Sequence, residues 1–282
     1  MHQHSSVFFF VFAVAAGLML VGAQARVVDA QADSQVQALY DLYQSTGGPN
    51  WINNTGWASQ NDDPCGRKAG NRPWYGVTCA GGYVIKLKLD RNGLGGVLPA
   101  SISNVPYIEG LHFRGNMLIG GIPRSLGDIQ SLRTLDLAYN HLGGGIPPLG
   151  TNSTSLAYLY LGNNQLGGTI PASFQYLTGL AELDLASNRL TGPVPDWLAS
   201  LSLTSLWVAY NSLSGQFPLK VCQSLILCSA AFNSRLMCPS MSCTCGAMQS
   251  CNCNNMCQTS NDCTGLCTRC VGASPIMNGY CQ

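Results

Sequence analysis

Apolar residues recur along most of this chain on a fixed composite frame, not at simple helix or strand spacing. In one copy the frame reads Leu132, Leu135, Leu137, Asn140, Leu142, Gly144, Ile146 and Pro147; in the next it reads Leu156, Leu159, Leu161, Asn164, Leu166, Gly168, Ile170 and Pro171. The asparagines fall at Asn92, Asn116, Asn140, Asn164, Asn188 and Asn211, spaced 24, 24, 24, 24 and 23 residues apart. A degenerate seventh copy (Leu225, Cys228, Ala230, Asn233) reads as a closing turn. One such unit cannot bury its apolar positions alone, but stacked neighbours share a continuous core. Counting the first Leu of each copy as position 1, the apolar residues at positions 4 and 6 alternate as in a short strand. Stacked strands predict a parallel sheet on the concave side of an α/β solenoid. The Asn at position 9 follows the strand where the chain bends inward, and its amide is expected to pair with backbone groups of neighbouring turns. The Gly permits a tight turn, and the Pro cannot extend a ladder. The later apolar pair, such as Phe174 and Leu177, predicts a short helical turn on the outer face.

The flanks carry different patterns. Val7 to Val21 is an uncharged apolar run followed by Ala23-Gln24-Ala25, which predicts a signal peptide over 1–25 cleaved before Arg26. Ser34 to Tyr43 predicts a helix with Val36, Leu39, Tyr40 and Tyr43 on one face and Ser34 or Asp33 as N-cap. It opens an N-terminal cap over 26–82 that shields the first coil from water. The repeats occupy 83–221, with the degenerate seventh reaching to about 236. Twelve of the 14 cysteines then lie between Cys222 and Cys281, and a segment this small and Cys-rich must be stapled. It divides into a Cys-rich cap and linker over 222–252 and a small module over 253–282. Pairing among Cys222, Cys228, Cys238, Cys243, Cys245 and Cys251 is not deducible from sequence. The Cys243-x-Cys245 and Cys251-x-Cys253 spacings suit a thiolate metal site, but an even cysteine count in a chain entering the secretory route favours disulfides.

Composition narrows the function. Only 10% of residues are charged and the formal net charge is +1, so no global field steers the chain to nucleic acid or to an acidic membrane surface. After signal cleavage no membrane span is expected, so a signalling role would use a separate membrane receptor. Asn53-Asn54-Thr55 and Asn152-Ser153-Thr154 are glycosylation sequons at Asn53 and Asn152. No catalytic motif is present, no cofactor is implied, and the chain is expected not to be an enzyme. Asp136 and Asp184 share a register of the repeat but stand two strands apart, too far for a carboxylate pair. The concave face remains. Position 5 carries Lys88, His112, Asp136, Tyr160, Asp184 and Trp207; position 3 carries Lys86, Gly110, Thr134, Tyr158, Glu182 and Ser205; position 8 carries Arg91, Gly115, Tyr139, Asn163, Ser187 and Tyr210. Aromatics beside charges are typical of a binding surface. The candidate ligand-binding set is His112, Arg114, Asp136, Tyr139, Tyr158, Tyr160, Asp184, Trp207 and Tyr210, with the aromatic members read as one stripe. The expected partner is an extracellular protein or a polysaccharide.

The frame LxxLxLxxNxLxGxIP resembles the plant-type extracellular leucine-rich repeats, the class of polygalacturonase-inhibiting proteins and receptor-like kinase ectodomains, over residues 33–221. That resemblance implies a right-handed coil. The Trp74-Tyr75-Gly76-Val77-Thr78-Cys79 element is similar to the N-terminal cap of the same family, which implies that Cys65 pairs with Cys79. The spacing of Cys253, Cys257, Cys263, Cys267, Cys270 and Cys281 resembles the knottins and implies the pairs Cys253–Cys267, Cys257–Cys270 and Cys263–Cys281. The departures matter: only Gln282 follows the last Cys, and the loop Asn254-Asn255-Met256 holds no Lys or Arg. The resemblance implies recognition of an extracellular molecule in adhesion, signalling or defence. Inhibition of a secreted hydrolase and a structural role in a wall or matrix are the alternatives.

Overall fold

The computed structural model describes residues 34–58, 63–67, 72–150 and 155–237, together with the backbone at 251–252; at 222–223, too, the backbone alone is described. The expected signal peptide, the sequon at Asn152, Cys238, Cys243, Cys245 and the knottin-like module over 253–282 lie outside the described residues.

The first helix, α1, covers residues 34–45. The strands follow as β1 (Val77–Ala80), β2 (Tyr83–Lys88), β3 (Gly95–Val97), β4 (Gly110–His112), β5 (Met117–Ile119), β6 (Thr134–Asp136), β7 (Tyr158–Tyr160) and β8 (Gly167–Gly168). The second half adds β9 (Glu182–Asp184), β10 (Arg189–Gly192), β11 (Ser205–Trp207), β12 (Asn211–Gln216), a short helix α2 (Leu219–Ser224), β13 (Leu227–Ser229), β14 (Asn233–Met237) and β15 (Cys251–Asn252). Nine of these strands form one sheet in the order β1-β2-β4-β6-β7-β9-β11-β13-β15. All neighbours are parallel except β1, which folds back antiparallel on β2 and covers the sheet's first edge. The register runs without slip: Leu87, Leu111, Leu135, Leu159, Leu183, Leu206 and Cys228 stand side by side. This is the predicted concave sheet, one strand per repeat.

The frame residues fill the core. Leu132, Leu135, Leu137 and Leu142 are at most 1% exposed, and the other copies repeat the pattern. The asparagines form a continuous ladder. Asn140 Nδ2 donates to the carbonyls of Phe113 and Leu137, and its Oδ1 accepts the N–H of Leu118, each at 3.0 Å. Asn164, Asn188, Asn211 and Asn233 repeat these bonds. Each amide thus answers backbone groups of two successive coils that water cannot reach. Pro99, Pro123, Pro171 and Pro195 each stand extended at the N-cap of a five-residue 3₁₀ turn on the outer face. The expected helical turns are therefore 3₁₀, which a short Pro-initiated segment favours.

Two features differ from the sequence expectation. A second set of strands lies beyond the Asn ladder: a four-stranded sheet in the order β14-β12-β10-β8 and the pair β3-β5, with a bridge between Gly145 and Gly167. Its strands are short, and β3 (Gly-Gly-Val) and β8 (Gly-Gly) are mostly glycine, so β-propensity gave little signal for it. In the cap, α1 buries Gln35, Ala38, Leu39, Leu42 and Tyr43, while Val36 and Tyr40 are only partly covered. Burial of the polar Gln35 is compensated by two hydrogen bonds: its Oε1 accepts the N–H of Val84, and its Nε2 donates to the carbonyl of Gly82. Behind α1 an aromatic column runs Tyr43, Trp51, Trp57, Trp74, with successive ring centroids 5.4, 4.9 and 5.2 Å apart. Gly48 lies flat against the Tyr43 ring, where any Cβ would overlap it. Cys65 and Cys79 are disulfide-bonded, with Cα atoms 5.8 Å apart, as the resemblance implied.

Candidate functional site

The concave sheet points positions 3 and 5 outward because positions 4 and 6 point into the core. Lys86 pairs in register with Gly110, Thr134, Tyr158, Glu182 and Ser205; Lys88 pairs with His112, Asp136, Tyr160, Asp184 and Trp207. Position 8 is different. It lies beyond the strand, in left-handed backbone, at Arg91, Tyr139, Asn163, Ser187, Tyr210 and Phe232, with φ between 50° and 59°; Gly115 has the same hand. Tyr139 and Tyr210 are therefore corner residues projecting from the rim of the face, not members of its strands. Holding a side chain there costs about 1–2 kcal/mol per residue, and the ladder Asn that follows each one over-determines the turn.

The residues of the face gather into four groups. At the first strands, Lys86, Lys88 and His112 face one another; Gly110 leaves room between the Lys86 stem and the His112 ring. Burial holds the His112 imidazole below its ordinary pKa; Asp90 opposes this, and Lys86 and Lys88 add to it. Next, the Arg114 guanidinium lies 4.5 Å over the Tyr139 ring and 3.9 Å from the Asp136 carboxylate. Asp90 Oδ1 accepts the backbone N–H of Arg114, which fixes this turn.

In the centre, the Tyr160 hydroxyl donates to Glu182 at 2.7 Å, and the Tyr158 and Tyr160 rings lie nearly parallel with centroids 6.5 Å apart. Burial, reinforced by the bond to Glu182, pushes the Tyr160 phenol well above its ordinary pKa, so it stays a donor. Asp136 and Asp184 each fold back to accept the N–H two residues on, from Ala138 and Ala186. Glycine at position 162 makes room for this, since a Cβ there would overlap the Asp184 carboxylate. Burial raises the pKa of both aspartates, and the backbone N–H groups and Arg114 only partly offset it. They stand on β6 and β9 with the Tyr160 strand between them, as the repeat register requires. At the last strands, Tyr210 stacks on Phe232 with centroids 4.1 Å apart and planes 12° apart.

The aromatics are thus not one stripe. Glu182 and Asp184 on β9 lie between Tyr158–Tyr160 and Trp207, and Tyr210 is partnered by Phe232. Phe232 is missing from the sequence-derived set because its repeat is degenerate, although its place just before Asn233 marks it as position 8. Glu182 and the basic pair Lys86 and Lys88 belong to the same face.

Models of leucine rich repeats match residues 154–213 and, as a two-copy unit, residues 130–175. Among solved structures, a chain of the BIR3–SERK2 complex from Arabidopsis thaliana is 30% identical, with a TM-score of 0.54 over 63% of this chain and 94% of that one. The plant peptide hormone receptor RGFR1, solved in complex with RGF2, is 30% identical with a TM-score of 0.51; the match covers 55% of this chain but spans only 25% of that receptor chain. A plant ice-binding protein is 28% identical with a TM-score of 0.61, over 73% of this chain and 64% of that one. Among the described residues no helix is long and apolar enough to cross a membrane. The 24-residue frame, the Asn ladder, the one-strand-per-repeat sheet and these matches establish that the chain belongs to the leucine-rich-repeat family.

Proposed function

We propose that this chain is a secreted recognition protein that binds an extracellular partner across its concave face and does no chemistry on it. One observation carries the reading: the frame positions are spent on core and ladder, while the outward positions gather charges and large aromatics on one continuous sheet. Tyr158 on the sheet and Tyr139, Tyr210 and Phe232 at its rim are 40–54% exposed, an arrangement that suits binding. His112, Arg114, Asp136, Tyr160, Asp184 and Trp207 complete the contact set. Binding is preferred to catalysis because the two register-related carboxylates are held apart by a full strand and are tied to backbone N–H groups. The Cys65–Cys79 disulfide supports passage through an oxidising, secretory compartment, which the apolar leader over 1–25 would provide. The sequon at Asn53 lies on the cap, where the Asn53 backbone exchanges two hydrogen bonds with the side chain of Asn92, the first ladder residue. A peptide hormone receptor of the same fold, solved with RGF2, supports the use of such a scaffold for ligand recognition.

The test is affinity capture from a secreted and cell-surface extract. Wild type is run beside a Tyr160→Ala, Asp184→Ala, Trp207→Ala variant. A partner retained by wild type and lost by the variant is the expected result; equal retention by both would contradict the reading.

A further inference from the structure

Beyond the Asn ladder, the side of the solenoid formed by the second set of strands changes character along its length. On β5, Met117 and Ile119 point outward on either side of the buried Leu118, and Val97 of β3 stands in register with Ile119. These three side chains are 47–55% exposed, and Ile52, on the cap beside Gly93, is 79% exposed. The next two coils carry mostly glycine there. Gly143 donates its N–H to the Gly120 carbonyl and Gly167 donates to that of Gly144, both at 2.8 Å, so the same surface continues as nearly bare backbone. A Cβ at Gly144, Gly145 or Gly168 would meet nothing within 4 Å. From the fifth coil on the surface is polar, with Arg189, Thr191 and Ser212 exposed.

Exposed aliphatic side chains clustered over roughly a few hundred Å² mark an interaction site more often than a solvated face. The partner is not recruited by charge: no Asp, Glu, Lys or Arg occurs in 93–99, 116–122, 140–147 or 164–171, the segments that form this surface in the first four coils. Its two halves fit each other, since one projects as aliphatic side chains and the other lies flat as glycine. A two-fold axis lying in the surface between the halves sets the side chains of each copy on the bare backbone of the other. We propose that this side of the solenoid is a self-association surface on which a second copy of the chain packs, with Val97, Met117 and Ile119 of each copy seated on the glycine shelf at Gly143, Gly144 and Gly145 of its partner. An isologous contact of this kind closes at two copies. It buries no charge and brings no like charges together. The surface is separate from the concave face, so the proposal stands apart from the recognition reading. The patch is smaller than the roughly 800 Å² per partner of a standard interface, so the dimer is a weak one, half formed near about 100 μM.

The test uses the full chain, secreted with its disulfides formed, in analytical ultracentrifugation from low micromolar to near-millimolar concentration. The average mass is expected to climb from one chain towards two. Two variants address the two halves. Ile119→Glu places a charge among the aliphatic side chains. Gly145→Gln fills the shelf where a side chain meets nothing within its own molecule and where the backbone is not left-handed. Each should weaken the dimer at least tenfold, and the circular dichroism melt of Gly145→Gln should match the wild type's. Ser212→Gln, on the polar part of the same side, should leave the association unchanged. A single-chain mass at every concentration, a dimer that persists as a disulfide-linked species on a non-reducing denaturing gel, or a dimer that neither variant weakens would overturn the inference.

Discussion

Ser187 illustrates how this repeat spends backbone strain at single residues. It sits at position 8 with φ of 54°, in the left-handed region that side chains other than glycine's rarely adopt. Ser187→Gly should therefore raise stability by about 0.5–1 kcal/mol, the left-handed cost less the extra entropy glycine loses on folding; Ser187→Val should lower it, as β-branched residues tolerate this region least. Urea unfolding of both variants measures the difference. Asp184 shows a second kind of cost. Burial raises its folded pKa above the unfolded value, so the native state holds the proton more tightly. Between those two values stability falls as pH rises, and the loss is complete once the folded state has ionised. Asp184→Asn keeps an acceptor for the Ala186 N–H and removes the buried charge. Its melting temperature should exceed the wild type's at neutral pH, and the gap should close near about pH 3, below both values. A wild type that is the more stable of the two at neutral pH would contradict this. The ladder asparagines were legible from the sequence because six of them recur at spacings of 24 or 23 residues. The left-handed position before them was not, because among its occupants only Gly115 and Asn163 favour the conformation. That is why Tyr139 and Tyr210 pass for strand residues in the sequence and stand at the rim in the structure.

At the scale of elements, the concave sheet and the outer turns follow directly from the period, since one strand and one Pro-capped turn are needed to close each coil. The second set of strands was hidden because its members are short and partly glycine, β3 pairing with β5 and β8 with β10, while the buried Leu118 and Leu190 on them already belong to the repeat frame. The cap was legible as a helix plus aromatics, but the buried face of α1 is not the purely apolar one: Gln35 is fully buried because it pairs with the backbone of Gly82 and Val84. The cap also depends on its cross-link. Cys65 and Cys79 close a segment with a sequence separation of 14, so replacing both with Ser should cost about 3 kcal/mol of the unfolding free energy. A chemical denaturation midpoint unchanged by the double replacement would show that the aromatic column alone fixes the cap.

For the whole molecule, a net charge of +1 conceals an ordered face, with Lys86, Lys88 and His112 on the first strands, carboxylates beside Tyr158 and Tyr160 in the middle, and Trp207, Tyr210 and Phe232 at the last. The sequence displayed all of these residues, but their order became meaningful only once register fixed which ones are neighbours and which, like Tyr160 and Trp207, are kept apart by β9. The central claim is that this face is where a partner sits. Hydroxyl-radical footprinting read by mass spectrometry tests it most directly, with the captured partner present and absent. Tyr158, Tyr210 and Phe232, 40%, 54% and 45% exposed on the concave side, should lose most of their oxidation when the partner is bound. Tyr176, 56% exposed on an outer 3₁₀ turn, should not change. Protection of Tyr176 with unaltered oxidation of the three concave aromatics would contradict the account.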